Sequence, residues 1–169
     1  MTKASLSHLP GNHRTRVFVG GSYDKEKRGI LGLIKESVKN AGFYPVLADE
    51  FELLTPDRDI HDVTLWLLHA CRLAIFEVSA HSGALMELER MRDYGIYNAL
   101  LLYYQKDEQD WRKYPDAWKS TQMLKSLALE LGTQCVVRPY VRPKNAATAA
   151  TEFLRAIKRS SYGKVHRLR

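Results

Sequence analysis

"RLAIFEVSAHSGALMELERM" (residues 72–91) passes from an apolar, β-rich run through a small-residue turn into a segment with helical spacing. No hairpin signal separates the halves, so the chain leaves a strand and enters a helix directly. That is half of a parallel β-α unit.

The same grammar extends in both directions. "RVFVGG" (16–21) is a β-branched run ending in glycines and reads as the first strand. From Lys25 to Ala41, residues Ile30, Leu31, Ile34 and Val38 recur at helical spacing, and Gly42 supplies a stop. "FYPVLA" (43–48) is the second strand, with Pro45 marking an edge. "DEFELLTPDRD" (49–59) is a loop or lid, and "IHDVTLWLLHAC" (60–71) the second helix. After the strand at 72–78 comes a third helix ending before Gly95. "NALLLYY" (98–104) is then apolar throughout, as strands buried on both faces are. A polar connection, a helix over 116–131, the strand "QCVVRPY" (134–140) and a closing helix over 146–160 complete the pattern. Strands alternating with helices predict one flavodoxin-like α/β domain. Its five-stranded parallel sheet should have the order 2-1-3-4-5, with helices on both faces. The expected boundaries are a disordered basic segment over 1–15, the domain over 16–158 and a basic tail over 159–169.

The bulk properties agree with one domain. A chain of 169 residues, 45% hydrophobic and 27% charged, can bury a proper core. No apolar run approaches the roughly 20 residues of a membrane span, and residues 1–16 lack the apolar core of a secretory signal. A cytoplasmic protein with no membrane partner is the expectation. Cys71 and Cys135 sit in apolar stretches and read as buried thiols, with neither a disulfide framework nor a metal site implied. The formal charge of +7 is concentrated in "HRTR" (13–16) and "RAIKRSSYGKVHRLR" (155–169). Such ends are usually solvated tails; tail-mediated nucleic-acid binding is the lesser alternative. A basic rim also attracts a phosphorylated small molecule.

In open α/β sheets ligands bind beyond the carboxyl ends of the strands, where the strand order switches. Under the expected order that point lies between the first and third strands. "GGSYDKEKRG" (20–29) and "EVSAHSGALMELE" (77–89) both stand there. Gly20 and Gly21 let the backbone approach a ligand, Ser22 and Tyr23 can hydrogen-bond or stack, and Lys25, Lys27 and Arg28 can meet a phosphate. An ordinary strand–helix turn followed by a solvated basic face is the plainer explanation. The run matches neither a P-loop nor a dinucleotide-binding turn.

In the second segment, Ser79 or Ser82 can cap the third helix, and Gly83 lies one turn ahead of Glu87 and leaves it uncovered. A carboxylate near a helix N-terminus tends to stay ionised, which suits a nucleophile or a group stabilising an oxocarbenium ion. A solvated helix residue would show the same spacing. Glu89 faces elsewhere. Glu77 closes a strand and should face the pocket, where it can accept from ribose hydroxyls, or else meet a partner such as Arg72 or His81. Asp49 and Glu50 close the second strand, further from the switch. His69 reads as a core histidine, and no serine occupies a nucleophile elbow.

Taken together, "RVFVGGSY", "GFYPVLA", "LAIFEVSAHSGALMELE" and "ALLLYY" resemble the nucleoside 2-deoxyribosyltransferase-like superfamily. Its relatives include nucleotide N-glycosidases and, more distantly, TIR-type NAD-cleaving domains. The resemblance spans residues 16–105. It implies that Gly20, Gly21 and Tyr23 line a base or sugar site. "HSGALMELE" (81–89) aligns with a motif D-x-G-T-x-x-E-x-G, with Ser82 and Gly83 in register and Glu87 at the nucleophile position. His81, Ala84 and Glu89 depart from that motif. The implied substrate is a nucleoside, a nucleotide or NAD, with no metal or bound cofactor, and the implied assembly is a homo-oligomer. A non-catalytic nucleotide-sensing or assembly module with the same fold is the alternative.

Overall fold

The fold is seen in a computed structural model that describes residues 9–22, 25–51, 60–79, 87, 90–91, 94, 96, 98–105, 126 and 135–165. Five strands, β1 (Arg16–Gly20), β2 (Tyr44–Val46), β3 (Leu73–Glu77), β4 (Asn98–Tyr104) and β5 (Cys135–Tyr140), form one sheet in the order β2-β1-β3-β4-β5. Every neighbouring pair is parallel. The described helices are α1 (Lys25–Asn40), α2 (Ile60–His69) and α3 (Pro143–Val165). The predicted flavodoxin-like α/β fold and strand order are therefore observed.

Side-chain alternation along the strands builds two apolar layers, since neighbouring residues point to opposite faces. Val17, Val19, Leu73, Ile75, Leu100 and Leu102 pack with Leu31 and Ile34 of α1 and Ala150 and Leu154 of α3. Phe18, Ala74, Phe76, Ala99 and Leu101 pack on the other face with Val63, Leu67 and Leu68 of α2. Met91 joins that second layer, so the helical segment after β3 lies on the α2 side.

Several element ends have identifiable causes. Gly42 takes φ 79° and closes α1 with the pattern Phe43 N–H to Val38 O (3.1 Å) and Gly42 N–H to Lys39 O (2.8 Å). Pro45 lies on the edge strand, paired in register with Val17. The last helix begins three residues earlier than its apolar spacing suggests. Pro143 is its first residue, and Asn145 Oδ1 reaches back to the N–H of Arg142 at 3.0 Å, half of a capping box. Ahead of β1, the Arg16 guanidinium donates to the carbonyls of Leu9, Pro10 and Gly11 and fixes a turn there. β2 is shorter than expected: Ala48–Glu50 forms a 3-10 turn. Glu87, Arg90 and Met91 are helical within the predicted third helix, and Ser126 within the fourth. Apart from Tyr94, which lies in a turn, the rest of those two helices and residues 52–59 lie outside the described residues. Among the described residues, no helix is long and apolar enough to cross a membrane.

Candidate functional site

The carboxyl ends of β1 and β3 meet at Gly21 and Glu77. A Cβ on Gly21 would stand 3.0 Å from the Glu77 carbonyl oxygen and 3.2 Å from Glu77 Cβ. Only a residue without a side chain lets these two segments close together at the switch in strand order. Gly20 is equally enclosed, by the rings of Phe18 and Phe76. Ser22 is buried beside them. The expected juxtaposition of Gly20, Gly21, Ser22 and Glu77 is therefore present, although the glycines serve strand packing at least as directly as ligand approach.

Glu77 is 0% exposed, and one oxygen of its carboxyl, Oε1, collects three donors. Tyr140 Oη donates to Glu77 Oε1 at 2.7 Å, Ser79 Oγ donates to the same oxygen, and the Ser79 N–H approaches it at 3.3 Å. Burial of a carboxyl is tolerable when such bonds replace water. The expected partner Arg72 is exposed at the start of β3, at the opposite end of the strand. Tyr140 and Ser79 take its place, and His81 lies outside the described residues. The Tyr140 phenol is pushed up from its ordinary value, chiefly by burial and next by its bond to Glu77, so it remains a donor.

Ser79 extends the network sideways. Its Oγ accepts from the N–H of Tyr104 at 2.6 Å, while Gln105 N–H donates to Tyr140 O at 2.9 Å. The ends of β3, β4 and β5 are thereby tied together around one buried carboxyl. Tyr104 and Tyr140 are direct neighbours in the β4–β5 register, with ring centroids 5.7 Å apart. Sequence reasoning missed both tyrosines; their only visible signal was an aromatic residue closing each strand.

Glu87 sits four residues before Met91, on the helix face that turns toward the α2-side layer. Its carboxyl is pushed up to about 7 by desolvation. The expectation of a carboxylate kept ionised by the helix dipole is thus corrected: loss of water outweighs it. By strand alternation Glu77 faces the α1/α3 layer with Leu73 and Ile75. The two glutamates thus belong to opposite layers.

The remaining candidates scatter. The Arg28 side chain is 67% exposed and pairs with Asp49 Oδ2 at 2.8 Å, an ordinary ion pair that accounts for its placement. Glu50 pairs with Lys35. His69 is exposed and meets the Tyr94 ring edge-on at 5.2 Å, which corrects its assignment to the core. Cys71 is buried and Cys135 half-buried, and desolvation raises both thiols, to about 12 and about 11. Tyr23, Ser82 and Gly83 lie outside the described residues. Among the described residues, no group of three or more His, Cys, Asp or Glu side chains gathers as a metal site.

No family model and no curated protein matches the chain. Solved structures do. A diflavin flavoprotein A3 from Nostoc sp. superposes with a TM-score of 0.54 at 12% identity, over 89% of this chain and 98% of that one. A conserved protein from Enterococcus faecalis V583 gives 0.54 at 12% identity, over 82% and 98%. The RPS4 and RRS1 TIR domain heterodimer gives 0.52 at 10% identity, over 87% and 99%. At these identities the likeness is one of fold: a five-stranded, flavodoxin-like α/β domain of the kind TIR domains also adopt.

Proposed function

We propose that this domain binds a nucleoside, a nucleotide or NAD at the mouth between β1 and β3 and cleaves or transfers its N-glycosidic bond through Glu87. The observation carrying this reading is the place and state of Glu87, a half-buried carboxyl pushed up to about 7 by partial desolvation in the helical segment that follows β3. Carboxyls perturbed in this way gather at catalytic sites. The resemblance of residues 81–89 to a glycosidase motif supports the same assignment. Ionised Glu87 would attack or stabilise the anomeric carbon of the sugar. The C1′–N bond breaks with its electron pair leaving on the base nitrogen. Water then supplies hydroxide to C1′, displacing Glu87 where a covalent bond has formed, and its proton goes to the anionic base of a nucleoside or nucleotide, or to solvent where neutral nicotinamide leaves NAD; a second base in place of water gives transfer. Gly21, Ser22 and Ser79 would bound the sugar or phosphate, and NAD would be a substrate rather than a resident cofactor.

A second reading is favoured by Glu77. Its Oε1 is already engaged by Tyr140 and Ser79, as in a mouth braced for recognition rather than chemistry. On that reading the chain is a nucleotide-sensing or assembly module, a role in keeping with its fold likeness to a TIR heterodimer. Self-association belongs to either reading. Incubation with nucleosides, nucleoside monophosphates and NAD, followed by chromatography for free base, separates them. Base release lost in Glu87→Gln supports the enzyme; binding without release by the wild type supports the sensing module.

A further inference from the structure

Four large hydrophobic side chains among the described residues are exposed: Leu33, Tyr44, Trp66 and Tyr104. Leu33 and Trp66 lie on helices and Tyr44 opens β2, away from the carboxyl ends of the strands. Tyr104 alone ends a strand there, and it is 44% exposed. A single exposed aromatic is ordinary on a protein surface. This one is held from three directions. Its N–H is bound by Ser79 Oγ, its register partner is Tyr140, and its ring leans on the Tyr140 ring at 57°. By alternation it shares the face of Leu100 and Leu102, toward which Glu77 and Tyr140 also point. An exposed aromatic ring at the carboxyl end of the sheet, backed by a buried Tyr140–Glu77–Ser79 network that fixes the strand ends beneath it, matches the planar heterocycle of a nucleoside-type ligand.

We propose that Tyr104 is the stacking wall for the ligand's base, with Ser79 holding its backbone and Tyr140 supporting its ring. The inference rests on the nucleoside reading above and adds the place where the base lies. Calorimetric titration of the full chain with AMP and with ribose 5-phosphate tests it, because the second probe lacks the base. In Tyr104→Ala, AMP binding should weaken about tenfold with ribose 5-phosphate binding unchanged. Tyr104→Phe, which retains the ring, should keep the wild-type affinity for AMP. Unaltered AMP binding in Tyr104→Ala, or equal weakening of both probes, overturns the stacking wall and leaves the Glu87 reading standing. A wild-type chain that binds neither probe, and neither binds nor cleaves any of the nucleosides, nucleotides and NAD above, overturns both.

Discussion

Tyr140 and Glu77, 63 residues apart in sequence, share a 2.7 Å hydrogen bond at the buried carboxyl end of the sheet. With the phenol 2% exposed and the carboxyl 0%, water cannot substitute for a lost donor. Tyr140→Phe keeps the ring and removes only the hydroxyl. It should cost about 2 kcal/mol, read as a lower urea midpoint at an unchanged slope. Because Ser79 Oγ donates to the same oxygen, Tyr140→Phe and Ser79→Ala should not add in a double-mutant cycle. Strict additivity would mean that the two hydroxyls do not act on one carboxyl.

Glycines in this chain divide by what surrounds them. Gly21→Ala must push a methyl against the Glu77 backbone, which cannot retreat without moving β3, so a loss of about 1–3 kcal/mol is expected. Gly29 and Gly32 have open space where a Cβ would stand, inside the exposed face of α1. Gly29→Ala and Gly32→Ala should each stabilise by about 0.5–1 kcal/mol. Thermal melts of the three variants check this, and the idea fails if all three shift in one direction.

Glu87 makes stability depend on pH with a definite sign. Its folded value of about 7 lies above the ordinary 4.5, so between those values the folded chain holds a proton that the unfolded chain has released. Stability therefore falls as pH rises from about 4.5 through about 7, by at most about 3 kcal/mol, and then levels off. Glu87→Gln should remove that slope and outlast the wild type in urea at pH 8, while the two converge below pH 4.5. If Glu87 acts ionised, base release should rise with pH through the same window. A release rate that falls across it would assign Glu87 the acid's role instead.

What the sequence could and could not disclose follows from the range of each effect. Apolar strands, the stop at Gly42 and the edge position of Pro45 are local signals, and the sheet order was legible from them. The Tyr140–Glu77 bond was not. Whether a residue ending a strand points up or down depends on register across three strands, here Glu77 beside Leu102 and Tyr104 beside Tyr140. Glu87 shows the same limit in energetic form. A helix terminus contributes about 0.3–1 kcal/mol and can be read from spacing. The opposing loss of hydration is larger and depends on the layer containing Met91, built from residues distant in sequence.

The close of α1 offers a test that separates backbone strain from crowding. Gly42 has φ 79°, a left-handed conformation that costs other residues about 1–2 kcal/mol. A Cβ there would also stand 2.9 Å from Lys158 Nζ, which bonds the Ala41 carbonyl and lies 5.2 Å from the centre of the Phe43 ring. The ammonium ends a flexible side chain and can swing aside, so the backbone should dominate. Gly42→Ala is expected to lose about 1–2 kcal/mol. Lys158→Met alone should lose about 0.3–1 kcal/mol, the value of a cation at a helix C-terminus. In the Lys158→Met background Gly42→Ala should cost the same as in the wild type, by urea denaturation of all four chains. Relief of that cost in the double variant would show instead that Lys158 was the obstacle, and that α1 ends in glycine to make room for α3.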